Sequence, residues 1–235
     1  IDDIQITATS STPTLSTSPA TLTFGNQTTG TNSTAQTYSL TGSNLTANVS
    51  IAAPAGFEVS LNGTTYAASQ SVTPSSGSVS QTVYVRFSPS AVQAYSGNVA
   101  NASTGVTTQN VTVNGTGVAP APALSASPAT LTFGNQTTGT NSTAQTYTLT
   151  GSNLTANVGI TAPTGFEVSL NGTTYAVTQS VTPSSGSVNQ TVYVRFSPSA
   201  AQAYSGNVAN ASTGVTTQNV AVSGTGVAPA PALSA

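Results

Sequence analysis

Six side chains in 235 residues carry charge: Asp2, Asp3, Glu58, Arg86, Glu167 and Arg195. Acid–base, nucleophilic and metal chemistry start from such groups, so their number and spacing bound what the chain can do. A hydrolytic relay needs a general base, and the sequence has no His, Lys or Cys. A metal centre needs several converging Cys, His, Asp or Glu donors, whereas Glu58 and Glu167 each stand alone in their stretch of chain. Glycoside hydrolysis by paired carboxylates needs two carboxyl groups within roughly 5–10 Å, and these two glutamates occupy equivalent places in separate repeats. No glycine-rich phosphate cradle is present, and a spontaneous Lys–Asn crosslink is impossible without lysine. The expectation is a non-enzymatic protein without cofactor or metal.

A few residues remain as candidates for recognition. Glu58 and Arg86, repeated as Glu167 and Arg195, are either a polar ligand contact or structural charges, as a salt bridge or as two separate solvated groups. Asp2 and Asp3 are either ligands for calcium in a preceding domain or residues of a turn or strand edge. Exposed aromatic rings are the usual contacts for sugars. Tyr66, Tyr84, Tyr175 and Tyr193 are therefore the candidate glycan contacts, while Tyr95 and Tyr204 fall where β-sandwiches use a structural tyrosine. Asn-x-Ser/Thr sequons make Asn26, Asn32, Asn44, Asn135, Asn141 and Asn153 candidate glycosylation sites, with further sequons at Asn48, Asn62, Asn101, Asn110 and Asn114. The second half loses three of these patterns (at Gly159, Ala221 and Ser223) and gains one at Asn189, drift that marks most as compositional accidents.

The formal charge of −2 gives no electrostatic footprint for nucleic acid or an anionic membrane. No apolar run reaches the roughly 18–20 residues of a membrane helix, and no signal peptide is visible: Ile1 is not an initiator, and no basic segment precedes an apolar core. Charged residues make up 3% of the chain, against about 25% in ordinary soluble domains. Together with the missing cysteines, this suggests part of a larger secreted or cell-surface bacterial protein that does without disulfides.

The chain is written twice. Residues 15–123 and 124–232 differ at 11 of 109 positions, and PATLTFGNQTTGTNSTAQTY recurs unchanged at 19–38 and 128–147. A period of this length is a whole domain rather than a solenoid repeat. The expected organisation is the end of a preceding domain plus linker at 1–14, a first repeat at 15–119, a Pro/Ala linker at 120–123, a second repeat at 124–228, and a linker with the start of a third repeat at 229–235. Ile1 to Ile6 alternate like a strand, resembling the closing strand of jelly-roll, carbohydrate-binding-like domains or simply a linker strand. The short linker favours extended geometry, so neighbouring modules should follow one another like beads with limited bending.

Within each repeat, apolar residues alternate with period two and no helical stripe survives. Leu22–Phe24, Tyr38–Leu40, Val49–Ile51 and Phe57–Leu61 read as strands, followed by a hairpin turn at Asn62-Gly63. Val72 precedes a Pro74–Gly77 turn, and Thr82–Phe87 is the strongest strand, with Val83, Val85 and Phe87 inward and Arg86 outward. Tyr95–Val99 and Val111–Val113 follow. Seven or eight short strands in about 105 residues predict an all-β fold: tandem immunoglobulin-like antiparallel β-sandwich domains, without the antibody Cys and Trp.

LTFGNQTTGTNSTAQTYSLTGSNL, GFEVS and VYVRFSPSAVQAYSGNV resemble the bacterial surface version of the ASPM–SPD-2–Hydin group of Ig-like domains. The resemblance spans nearly all of both repeats and is closest at Val85–Pro89 and Tyr95–Gly97, with Gln93-Ala94 where the family often has Gly. It implies spacers in long secreted proteins and carries over no catalytic residue. The expected role is a structural spacer, stalk or fibre body whose partners are neighbouring modules and, through uncharged strands, further copies in filaments. The alternative is an adhesin or carbohydrate-binding module touching cell-surface glycans through tyrosine.

Overall fold

The computed structural model describes residues 11–231. The strand read at Ile1–Ile6, Asp2 and Asp3, and the third-repeat start at 233–235 lie outside them. The chain divides into two compact units at Pro120/Ala121. Nine strands build the first: β1 (Thr14–Ser18), β2 (Thr21–Thr28), β3 (Gln36–Ser43), β4 (Val49–Ala52), β5 (Phe57–Ser60), β6 (Ser69–Val72), β7 (Val79–Phe87), β8 (Ala94–Ala102) and β9 (Gln109–Val118). The second repeats them from Ala123–Ser127 to Gln218–Val227.

Each unit packs a four-stranded sheet, β1-β3-β7-β5, against a five-stranded one, β2-β9-β8-β4-β6. This is an immunoglobulin-like sandwich, as the alternation predicts. The pairing is antiparallel except where β2 runs parallel to β9. The first stretch of chain divides between the sheets. β1 pairs with the half of β3 near the end where the chain arrives, Thr14 opposite Ser43. After Pro19 it changes sheets, and β2 pairs with the half of β9 near the exit, Thr28 opposite Val118.

Two details differ from the sequence expectation. TLSTS forms β1, although with Leu15 as its one apolar residue it shows no alternation. The turn at Asn62-Gly63 does not close a hairpin: β5 makes a single bridge, Val59 to Ala67, and β6 then joins β4 in the other sheet. The Asn62 side chain is the reason, because its Oδ1 accepts the Thr64 and Thr65 N–H groups, both at 2.9 Å, and holds a wider loop.

Inward residues of both sheets form one core per unit, with Phe57 stacked on Phe87 at 4.9 Å and Tyr95 edge-on to Phe87 at 5.3 Å. Tyr95 is a tyrosine corner: its hydroxyl accepts N–H groups of Ala91 (2.9 Å) and Ser90 (3.2 Å). Its ring lies where a Cβ on Gly56 would sit, so Gly56, at φ +83°, can be nothing larger. Deepest of all, the Tyr38 hydroxyl on β3 donates to Asn101 Oδ1 on β8 at 2.7 Å, joining the sheets. Asn101 Nδ2 donates to the Val99 and Gln109 carbonyls at 3.2 and 3.1 Å. Both side chains are buried and every polar group of the amide is used. Tyr147 and Asn210 repeat the arrangement.

Edges are closed by short strands and by glutamines. Gln36 Nε2 donates to the Thr23 carbonyl at 2.6 Å, beside the register shift that Gly25 (φ +65°) introduces into β2. Gln70 Nε2 donates to Val59 O at 3.3 Å on the opposite side.

Tyr38→Phe leaves a buried acceptor unpaired, which costs about 1–3 kcal/mol. In urea unfolding of the full chain, the first unit should melt early while the second keeps its midpoint, splitting one transition into two. Burial also pushes the Tyr38 and Tyr147 phenols well above their ordinary value, against the opposing pull of the asparagine bonds. A group holding its proton more tightly when folded contributes stability that is complete below its unfolded value of about 10 and is lost as pH rises beyond it. Thermal midpoints should therefore fall above about pH 10, and less steeply in the Tyr38→Phe/Tyr147→Phe variant.

Candidate functional site

β5 and β7 place Glu58 directly opposite Arg86 on the outer face of the four-stranded sheet. Arg86 Nε donates to Glu58 Oε2 at 2.7 Å, and its guanidinium carbon lies 4.2 Å from the centre of the Tyr66 ring. In the second unit Arg195 Nη2 approaches Glu167 Oε2 at 2.6 Å and its guanidinium carbon lies 4.3 Å from the Tyr175 ring centre. The cation is thus enclosed between a carboxylate and an aromatic face that belong to its own module. The loop holding Tyr66 is set by Ser60, whose buried hydroxyl accepts the Gly63 N–H at 3.0 Å and donates to Asn62 Oδ1 at the same distance. At 27% and 33% exposure, the ion pair contributes about 0–1 kcal/mol.

The structure gathers Tyr66, Tyr84, Glu58 and Arg86 in one patch. Tyr84 is half-buried on the same face as Arg86, its ring against Gly63; Tyr175 and Tyr193 repeat this in the second unit. Beside the patch stretches a field of hydroxyls across β1, β3 and β7. Ser16 opposes Thr41 with their oxygens 2.8 Å apart, and Thr41 opposes Ser80. Asn26, Asn32, Asn44, Asn135, Asn141 and Asn153 are all exposed. Asn101 and Asn210, also sequon asparagines, lie fully buried in the core. Their signal was present in the sequence, since Asn101 continues the inward phase of Tyr95 and Val99.

An open depression of about 430 Å³ adjoins the patch, walled by Ala55, Ala68 and Phe57. Two of its three alanines, Ala55 and Ala68, become Thr164 and Val177 in the second copy, so this part of the surface is not kept alike. Among the described residues no cluster of three or more metal-ligating side chains occurs.

No family model matches the chain, and no curated protein matches it. Solved structures similar to it include a Porphyromonas gingivalis W83 protein of unknown function, at 11% identity and TM-score 0.31, covering 90% of this chain and 99% of that one. The CupB6 tip adhesin of Pseudomonas aeruginosa is similar at 11% identity and TM-score 0.34, with 86% and 93% covered. The adhesin InvE of Yersinia pseudotuberculosis gives 15% identity and TM-score 0.27, with 91% and 59% covered. Likenesses this low carry no function across; the immunoglobulin-like class rests on strand order and the tyrosine corner.

A double-mutant cycle with Glu58→Gln and Arg86→Gln should give a coupling of no more than about 1 kcal/mol in denaturant unfolding, shrinking as salt rises.

Proposed function

We propose that this protein is a spacer: the stalk or fibre body of a long, secreted bacterial surface protein, and a bacterial surface member of the ASPM–SPD-2–Hydin group. One observation carries the reading. At the 11 positions where the copies differ, no side chain is buried. The buried core is held unchanged in both modules, and the positions they let vary, including Ala55, Ala68, Ser80 and Thr112, are surface. A ligand site need exist only once in a chain, whereas these near-identical copies repeat the whole module. A spacer needs only its fold and its length.

Length comes cheaply in such a chain. The ten residues of β9 span about 33 Å, so each module adds a few nanometres of reach. Neutral modules do not repel one another, and apart from Glu58 on β5 the edge strands β1, β2 and β6 carry none of the charges that ordinarily block strand pairing. Other devices stand in: β1 is five residues between Pro13 and Pro19, β2 is interrupted at Gly25, and β5 and β6 have four residues each. These devices oppose edge-to-edge addition of further copies.

A second reading, glycan contact at Tyr84 and Tyr193, draws on their half-exposed rings beside the hydroxyl field. Solution scattering on chains of two, four and eight modules separates the two. The spacer reading expects the longest dimension to grow in proportion to module number, with no bound glycan. Glycan-array binding that Tyr84→Ala/Tyr193→Ala abolishes, with no growth in length, would replace it.

A further inference from the structure

We propose that each module is a tension-bearing link, clamped by the parallel ladder between β2 and β9. The inference rests on the spacer reading and adds a mechanical function to it. Thr14 lies at one end of the module and Val118 at the other, as the registers Thr14–Ser43 and Thr28–Val118 require. Tension applied through the chain therefore pulls β1 and β2 toward one end and β9 toward the other.

β2 and β9 lie side by side and run the same way. Pulled in opposite directions along their axes, they must slide past one another, and every ladder bond is loaded together. An antiparallel hairpin pulled at its open end would lose its bonds one at a time. The ladder reaches from Thr112 N–H on the Ala20 carbonyl to Thr29 N–H on the Val118 carbonyl, each 2.9 Å, so the last residue before the exposed Ala119-Pro120 is itself held. Sliding is further opposed by keyed side chains. Leu22 is buried, Phe24 packs on Phe57 at 5.6 Å, and Gln36 ties the Thr23 carbonyl to the other sheet.

Beyond the clamp nothing covalent limits extension. The chain has no cysteine, and Tyr38 and Asn101, 63 residues apart, are joined by a hydrogen bond alone. Once β2 and β9 part, residues 21–118 can pay out on the order of 300 Å per module. The link thus holds under tension and lengthens when overloaded.

Pulling the full chain by its ends in an optical trap tests this. The absence of native cysteine lets handles be placed at will. End-to-end pulling should give two steps on the order of 300 Å. In a second geometry, handles at Asn32→Cys and Ala119→Cys, both exposed at the exit end, peel β9 from β2. The end-to-end rupture force should exceed the peeling force by about a factor of two or more. Thr29→Pro removes the donor to Val118 O, and should weaken the first module while the second, in the same trace, keeps its force. Val106→Ala, at the core's periphery away from the ladder, should leave the end-to-end force unchanged. Equal forces in the two geometries, or equal weakening by Thr29→Pro and Val106→Ala, would overturn the proposal. The spacer reading would survive that result, since it stands on growth of length with module number.

Discussion

A single hydrogen bond between sheets organises each module. Tyr38 and Asn101 sit on the second strand of one sheet and the penultimate strand of the other, the strand pair that antibody domains join with a disulfide. Here the joint depends on direction as well as distance. Asn101 is tolerable in the core only because its carbonyl takes the phenol and its amide takes the Val99 and Gln109 carbonyls. A slip of β8 by one residue would set an alanine, Ala100 or Ala102, opposite Tyr38 and strand a buried hydroxyl. The bond thereby excludes alternative registers that the repetitive Val and Ala content would otherwise permit, which is the use to which buried polar groups are best put.

The same economy governs the surface. Arg86 finds its partners, Glu58 and Tyr66, within its own module, and the glutamines at the sheet edges bond to backbone of their own sandwich. Serine and threonine fill the outer faces with groups that bond one another or water. Among the described residues, these polar side chains help hold the fold shut.

Much of this was legible from period-two alternation. The inward set of Val83, Val85 and Phe87, the strands at Phe57 and Tyr95, and the tyrosine corner follow from hydrophobic phase and turn residues. β1 was not legible, because pairing along the β3 backbone holds a strand that has one apolar residue of its own. The parallel partnership of β2 with β9 was hidden too: nothing local distinguishes parallel from antiparallel edges in Thr21–Thr28. At the candidate site the residue types Glu58, Arg86, Tyr66 and Tyr84 were visible. That a carboxylate and a ring enclose the guanidinium depends on strand register and on the Asn62 loop, which only the fold decides.

The confinement of the 11 differences to positions that are not buried has a consequence for how such a chain can change. Coding segments for modules this alike, whose 109-residue periods match, could recombine in register. Every product would be a chimera with an unbroken core, an intact Tyr–Asn joint and all nine strands in place. Copies could therefore be gained or lost whole, with every remaining module still able to fold.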